Sequence, residues 1–142
     1  KDGTKKMSKS DLSDLSRINL TDDENLIINK IKKAKTDPLP LPSNLDELER
    51  RPEAKNLLGI YSSLTDLTLD QSVKEFSGKN FSDFKEKLSQ VLLEKIKPIS
   101  NEIKKINGEK EYLDKILSNG QKKANEFASN KLKKMHEIIG FL

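Results

Sequence analysis

Apolar side chains recur at intervals of three and four residues along much of the chain, which is the spacing of one face of an α-helix. The longest apolar stripe runs from Phe81 to Asn107, and Gly108 follows it as a terminator. Its members are Phe84, Leu88, Val91, Leu92, Ile96, Ile99, Ile103 and Ile106. Pro98 interrupts the stripe, and we expect a kink or a break there because proline lacks a backbone N–H and clashes with the preceding turn.

One helix is predicted before a proline-rich connector and another after it. Thr21 and Glu24 have the spacing of a capping box, and the first helix continues from there to Asp37. The connector, residues 38–42, alternates proline with leucine and must follow an extended path that no helix can enter. Pro52 then suits the first position of the second helix.

Three further short helices are predicted. Thr68 and Gln71 have capping-box spacing and open the first of them. Apolar positions within residues 112–117 indicate the second, which Asn119 and Gly120 close. The third spans residues 124–138, where apolar residues again follow a helical period.

Composition supports an all-α helical bundle. The 142 residues include 35% charged, 33% hydrophobic and only 5% aromatic residues, which suits amphipathic helices with solvated outer faces better than a sheet. The absence of cysteine excludes disulfides and thiolate metal sites, and it fits a reducing compartment. No apolar run approaches the roughly 20 residues that span a bilayer, so we expect no membrane partner.

Two groups of polar residues suggest metal chemistry at first sight, but neither supports it. Asp22, Asp23 and Glu24 stand together where a helix is predicted to begin, and the helix dipole favours acidic residues there by roughly 0.3–1 kcal/mol each. His136 is the only histidine, and without a second histidine or a cysteine it cannot form a zinc site. We therefore predict no metal site, and no Ser-His-acid set exists.

The string Lys6-Met7-Ser8-Lys9-Ser10 is the most informative segment of the chain. Two lysines three residues apart, separated by an unbranched and a small side chain, can place two ammonium groups and several backbone N–H donors around one polyphosphate. The string resembles the KMSKS signature of class I aminoacyl-tRNA synthetases, which implies an ATP-binding loop.

Other segments resemble the tryptophanyl branch of that class in its bacterial form. They are Gly3–Asp11, Arg17–Asp23, Lys30–Pro38, Arg51–Ala54, Asn56–Tyr61 and Gly140–Leu142. The resemblance covers the whole chain, densely to about Ser63 and thinly after it. The tyrosyl branch is the nearest alternative, although many of its bacterial members carry an extra RNA-binding domain for which this chain has no room. Another class I synthetase is a further alternative.

The resemblance also implies that the chain is the C-terminal part of a larger enzyme. The second signature of the class, a HIGH-type motif in a Rossmann domain, has no counterpart here, so that domain is expected upstream of Lys1. Residues 1–20 would then be a loop segment of the catalytic domain, and residues 21–142 a helical anticodon-binding domain. The 142-residue chain alone is expected to be inactive.

The family chemistry assigns roles to the loop. In this class the amino acid carboxylate attacks the α-phosphate of ATP, pyrophosphate leaves, and the aminoacyl-adenylate then acylates tRNA. The resemblance implies that Lys6 and Lys9 are catalytic and contact the pyrophosphate, that Met7 lies near the adenine, and that the serines at 8 and 10 offer hydrogen bonds. ATP is expected with Mg²⁺ as a substrate complex, and no tightly bound cofactor is expected.

Asp11 and Arg17 are expected only to anchor the loop, and the helices are expected to bind tRNA. A net charge of +4 and a pI near 9.1 permit phosphate contacts. The candidate tRNA-binding residues are Lys122, Lys123, Lys131, Lys133 and Lys134. A solvated helix face that alternates lysine with glutamate is the structural alternative for each of them.

The resemblance implies further properties of the intact enzyme. Its expected partners are tryptophan tRNA, ATP and tryptophan, with no DNA, and it is expected to be a cytoplasmic homodimer. A non-catalytic helical interaction module remains the alternative from a different functional class, because the composition after residue 20 would also suit one.

Overall fold

The computed structural model describes residues 7–141, and within that range the chain contains helices and no strand. The predicted all-α fold class is therefore confirmed. A 3-10 turn at Asp14–Ser16 precedes six α-helices. They are α1 (Glu24–Lys32), α2 (Leu45–Glu49), α3 (Pro52–Thr65), α4 (Leu69–Phe76), α5 (Phe81–Gly108) and α6 (Lys110–Ile139).

The chain divides into two compact units, Lys1–Asn101 and Glu102–Leu142. The first unit contains α1 to α4 and most of α5, and the second contains the end of α5 and all of α6. The boundary proposed after residue 20 separates functions rather than compact units, and it stays a prediction. No helix among residues 7–141 has both the length and the apolar character that a membrane span requires.

The core of the first unit is built around three aromatic rings. Phe84 of α5 is fully buried, and its ring lies 4.8 Å from that of Phe76 in α4. Tyr61 of α3 lies 4.9 Å from Phe76, and both pairs meet edge to face. This geometry places the positive edge of one ring against the negative face of the next, which adds to the stabilisation from burial. Leucine, isoleucine, valine and alanine side chains from α1 to α5 complete the core.

Helix α1 begins and ends at residues other than those predicted. Its N-cap is Asp23, whose carboxylate accepts a hydrogen bond from the backbone N–H of Leu26, so the capping box at Thr21 is wrong. Aspartate caps a helix at least as well as threonine, and Asp23 already has the extended backbone that a cap needs. The helix ends at Lys32, not at Asp37. The Lys85 ammonium group donates to the Lys32 carbonyl at this end, at 3.1 Å.

The caps predicted for α3 and α4 are confirmed. Pro52 occupies the first turn of α3, where its missing N–H has no intrahelical partner in any case. Thr68 and Gln71 form the capping box of α4, with the side chain of each residue bonded to the backbone N–H of the other.

Helix α5 continues through Pro98, so of the two predicted alternatives the break is wrong, and the kink stays a prediction. The proline removes one helical hydrogen bond, which would be accepted by the carbonyl of Glu94 four residues earlier. Both Pro98 and Glu94 are exposed, and water can therefore bind the carbonyl that the proline leaves without a donor.

Helix α6 is one helix of 30 residues, not the two that were predicted. Gly120 does not have a positive φ and lies inside the helix, where a glycine costs only about 1 kcal/mol relative to alanine. The terminating glycine is instead Gly140, at φ 77°, which is the left-handed conformation that ends helices.

The proline-rich connector is held to the first unit by its backbone and by Leu41. The N–H of Leu41 donates to the carbonyl of Lys79 at 2.9 Å, and its own carbonyl accepts from the N–H of Gly78 at 3.1 Å. Leu41 is 2% exposed, whereas Leu39 is 60% exposed, so only one of the two connector leucines packs into the core. Arg51 donates through Nε to Asp37 at 2.9 Å and binds two connector carbonyls.

The same substitution, phenylalanine to alanine, should cost much more stability in the first unit than in the second. Phe84→Ala removes a fully buried ring that contacts two others, and we expect it to lower the free energy of unfolding by about 3–5 kcal/mol. Phe127→Ala in α6 removes a ring that is 83% exposed, and we expect a change within about 0.5 kcal/mol. Urea unfolding followed by circular dichroism measures both values. Equal losses would contradict the core described above.

Candidate functional site

The described part of the lysine-containing motif, residues 7–10, forms an exposed turn at the start of the described chain. Lys6 lies outside the described residues, and Met7, Ser8, Lys9 and Ser10 are all exposed. The N–H of Asp11 donates to the Ser8 carbonyl at 3.3 Å, and the N–H of Ser10 donates to the Ser8 hydroxyl at 3.3 Å. These two bonds close the turn on both sides of Lys9, so the lysine lies at its tip.

Asp11 and Arg17 connect this turn to the segment that follows. The Asp11 carboxylate accepts from the N–H of Ser13 at 2.8 Å, and the Asp11 carbonyl accepts from Nη1 of Arg17 at 3.1 Å. Nη2 of the same arginine lies 3.0 Å from the Asp14 carboxylate. The contacts fit the anchoring role expected of Asp11 and Arg17.

Lys30 of α1 provides the attachment point for the whole segment. Its side chain is 2% exposed, and its ammonium group lies 2.6 Å from a carboxylate oxygen of Asp14 and 2.6 Å from one of Asp22. A buried ammonium group is costly unless it is paired and hydrogen-bonded. Two carboxylates satisfy that requirement here, and both belong to the segment between the motif and α1.

Asn19 completes the group of residues around Lys30. Its side-chain amide donates to Asp14 at 3.2 Å and to Asp22 at 3.1 Å, and its backbone N–H donates to Asp22 at 2.9 Å. We call Asp14, Arg17, Asn19, Asp22 and Lys30 the anchor cluster. Among residues 7–141, no buried side-chain nitrogen or oxygen lacks a hydrogen-bond partner.

The anchor cluster shifts the pKa values of Asp14, Asp22 and Lys30 in the directions that favour their charged forms. The hydrogen bond from Lys30 holds the pKa of Asp14 below its ordinary 3.8. Burial acts to raise the pKa of Asp22, but the hydrogen bonds from Lys30 and Asn19 outweigh it, so that the pKa is also lowered. Burial acts to lower the pKa of Lys30, and its bonds to Asp14 and Asp22 raise that pKa above 10.5.

These shifts define the pH range over which the cluster stabilises the fold. Carboxylates with depressed pKa values contribute stability that is fully present above pH 3.8 and is lost as the pH falls through the depressed values. The raised pKa of Lys30 contributes stability that is fully present below pH 10.5 and is lost as the pH rises through the raised value. Asp14, Asp22 and Lys30 are therefore all charged between those limits.

Sequence reasoning missed Lys30, although a signal for it existed. Lys30 lies three residues after Ile27 and four before Ala34, so it falls on the apolar face of α1 that those residues define. A lysine on such a face must either turn outward or find a buried partner. Asp22, eight residues earlier, was assigned to the helix dipole, but it is the nearly buried partner of Lys30.

The three consecutive acidic residues have three separate roles. Asp22 binds Lys30, Asp23 caps α1, and Glu24 forms an ion pair of 2.7 Å with Lys97 of α5. Within residues 7–141, no group of histidine and acidic side chains is placed to hold a metal ion. His136, the only histidine, is half-buried and packs near Phe141.

The lysines suggested for tRNA binding all lie on α6. Lys122, Lys123, Lys131, Lys133 and Lys134 are exposed. Lys122 and Lys133 are eleven residues apart, and so are Lys123 and Lys134. Eleven residues return an α-helix to within about 20° of the same direction. The structure therefore aligns four of the five into two neighbouring rows along the helix. Within residues 7–141, none of the five forms a salt bridge.

The anchor cluster predicts an unusual pH dependence for one variant. Lys30→Met leaves Asp22 buried without its cation, and we expect the free energy of unfolding to fall by about 3–5 kcal/mol near neutral pH. Burial then raises the pKa of Asp22, so the variant should gain stability as the pH falls through that raised value. The wild-type chain should show no such gain. Urea unfolding at several pH values between about 4 and 8 measures both effects.

Lys74→Met is the matched control for that experiment. Lys74 is an exposed lysine that pairs with Asp70 on the surface of α4. Its loss should change the free energy of unfolding by less than about 0.5 kcal/mol, with no dependence on pH over this range. If Lys30→Met behaves in the same way, the buried ion pair does not exist.

Comparisons with known proteins agree with the resemblance of the motif. Residues 1–137 match the family model described as tRNA synthetases class I (W and Y). A protein of Mesorhizobium japonicum named Tryptophan--tRNA ligase is 50% identical over 142 residues, which is all of this chain and 40% of that protein. Proteins with the same name from Rhizobium meliloti and Caulobacter vibrioides are 49% and 43% identical, over 100% and 99% of this chain.

The chain spans about 40% of the length of these relatives, 40% of the Rhizobium protein and 41% of the Caulobacter protein. The family model covers nearly the whole chain, including the exposed turn, the anchor cluster and most of α6. The chain belongs to the tRNA synthetase class I (W and Y) family.

Proposed function

We propose that this chain is part of a tryptophan–tRNA ligase and supplies its ATP-phosphate loop and a tRNA-binding helix. The observation that carries the proposal is the exposed turn around Lys9, which is tied through the anchor cluster to a buried lysine. The relatives named Tryptophan--tRNA ligase support the choice of tryptophan as the amino acid. The intact enzyme would activate tryptophan with ATP and transfer it to tryptophan tRNA.

In this proposal the loop acts on the leaving group of the activation step. The tryptophan carboxylate forms a bond to the α-phosphate of ATP, the bond between the α- and β-phosphates breaks, and pyrophosphate leaves with the electron pair. Negative charge therefore accumulates on the pyrophosphate oxygens in the transition state. Lys6 and Lys9 would place ammonium groups against those oxygens and lower the barrier, because this attraction is stronger in the transition state than in the ground state.

The remaining residues of the motif would orient the nucleotide. Met7 would lie beside the adenine, and the hydroxyl groups of Ser8 and Ser10 would offer hydrogen bonds. In the turn those two hydroxyls lie 3.2 Å apart and can bond to each other. Mg²⁺ would arrive with ATP as part of the substrate, and we assign no residue of this chain to it.

The rate of tryptophan activation should depend strongly on Lys9. We expect Lys9→Ala in the full-length gene product to raise the activation barrier by roughly 2.7–4 kcal/mol, the cost of losing one donor that acts in the transition state. The affinity for tryptophan should change little, because Lys9 would contact only the phosphates. Tryptophan-dependent exchange of pyrophosphate into ATP measures the rate, and equilibrium binding measures the affinity.

The control for Lys9 is Lys87→Ala, which removes an exposed lysine from α5 and should leave both quantities unchanged. Exchange that depends on tyrosine in place of tryptophan would contradict the proposed amino acid. Equal losses of rate and of tryptophan affinity in Lys9→Ala would show that the loop has another role.

The second part of the proposal concerns α6. We infer that its exposed lysines bind the phosphate backbone near the anticodon end of tryptophan tRNA. The helix carries seven lysines and four acidic residues, so it has a net positive charge. Lysine binds phosphate through its charge and needs no fixed orientation, which suits an exposed and regularly spaced row. We further propose that the intact enzyme is a homodimer in the cytoplasm.

Charge reversal should separate this face from other lysines of the chain. We expect Lys122→Glu with Lys123→Glu to weaken tRNA binding by the full-length gene product, and the dependence of log affinity on log salt should become shallower by about 0.9 for each phosphate that is no longer neutralised. Lys32→Glu with Lys33→Glu changes two exposed lysines in and next to α1 and should have a smaller effect. Filter binding or fluorescence anisotropy over a salt series measures both. If the two double variants behave alike, α6 is not the RNA-binding face.

A further inference from the structure

We propose that Asp14 is a positioning residue for the phosphate loop: it joins the buried Lys30 of α1 to the segment that carries Lys9. The inference rests on the proposed function, because it explains how the loop of that function is held in place. The Lys30 ammonium lies 2.6 Å from Asp14 Oδ2, and Asp14 Oδ1 lies 3.0 Å from Arg17 Nη2. Arg17 in turn donates to the backbone carbonyl of Asp11.

Lys9 needs such an attachment because little regular structure lies between it and the first helix. Residues 10–23 contain a single 3-10 turn, Asp14–Ser16, and α1 begins only at Glu24. An irregular segment of this length has many accessible conformations unless contacts restrict them. Asp14 lies near the middle of the segment, so fixing it shortens the free chain between Lys9 and the nearest anchored point to a few residues.

Asp14 is the only member of the anchor cluster that contacts both of its cations. Its two oxygens serve Lys30 and Arg17 separately, whereas Asp22 is bound by Lys30 and Asn19. The four charges of the cluster balance, with two carboxylates, one ammonium and one guanidinium. Because Lys30 is buried, its attraction to Asp14 is weakly screened by solvent, which distinguishes this contact from an ordinary surface pair.

The exposure of Asp14 makes the inference testable without loss of the fold. Its side chain is 46% exposed, and in Asp14→Ala the buried pair between Lys30 and Asp22 would remain. Asp70→Ala is a closely matched control, because the Asp70 side chain is 45% exposed and also pairs with a lysine, on α4. The two variants differ in whether the deleted carboxylate connects the loop to α1.

The first measurement is the rate of tryptophan-dependent pyrophosphate exchange by the full-length gene product. We expect Asp14→Ala to lower kcat roughly 10- to 100-fold, the usual cost of misplacing a reacting group or removing a residue that orients one. Tryptophan affinity should stay at the wild-type value, and the thermal midpoint should fall only slightly, because the buried pair between Lys30 and Asp22 remains. Asp70→Ala should match the wild type in all three quantities. Wild-type kcat in Asp14→Ala would overturn the inference.

The second measurement asks whether Asp14 acts through Lys9. If it does, Asp14→Ala should add less than about a twofold loss when Lys9 is already alanine, because the group that it positions is gone. A purely structural role would give losses that multiply. Multiplying losses would therefore overturn the inference even if Asp14→Ala alone slows the reaction.

The third measurement does not depend on catalysis. Hydrogen exchange at the backbone amides of residues 8–19 should accelerate in Asp14→Ala and not in Asp70→Ala, while exchange in the core helices stays unchanged. Unchanged exchange in that segment would overturn the positioning role whatever the activity. By contrast, a wild-type enzyme without tryptophan-dependent exchange, or a Lys9→Ala variant of full activity, would count against the proposed function itself.

Discussion

The burial of one ammonium group, that of Lys30, is the constraint on which the arrangement of the N-terminal segment depends. An unpaired cation on the apolar face of α1 would be expelled or neutralised, so the fold must bring carboxylates to it. Those carboxylates come from Asp14 and Asp22, which precede the helix. A buried ion pair of this kind adds little net stability compared with an apolar pair, but it favours this placement of the segment over any that leaves the buried ammonium unpaired.

Helix α1 can serve as the attachment point because α5 holds it near both ends. Glu24 at its first turn pairs with Lys97, and the carbonyls of Lys32 and Ala34 at its other end bind the ammonium group of Lys85. Burial lowers the pKa of Lys85, which shows that this contact is partly removed from solvent. The aromatic core around Phe84 in turn fixes α5, so the position of the exposed turn is determined by contacts that extend into the centre of the first unit.

Much of this could be predicted from sequence, and the exceptions have physical explanations. The caps at Pro52 and Thr68 were predictable because they depend on neighbouring residues only. The continuity of α6 through Gly120 was not predictable. A glycine destabilises a helix interior only modestly, so its presence in the sequence does not show whether the helix ends there or continues. In the candidate site, the motif itself could be identified from its residue types and their order. The anchor cluster was not, because the pairing of Asp14 with Lys30 depends on a backbone path that residue types do not specify.

The connector at residues 38–42 has a consequence for how copies of the chain meet one another. An extended, solvent-exposed segment normally invites a second strand to pair with its free N–H groups, which is a route to aggregation. Prolines at 38, 40 and 42 remove every donor that would point to one side of an extended segment. On the other side, the N–H of Leu39 binds Asp37 and that of Leu41 binds the carbonyl of Lys79. The connector thus has no backbone N–H left for an incoming strand, and it does not offer a template for β-sheet assembly.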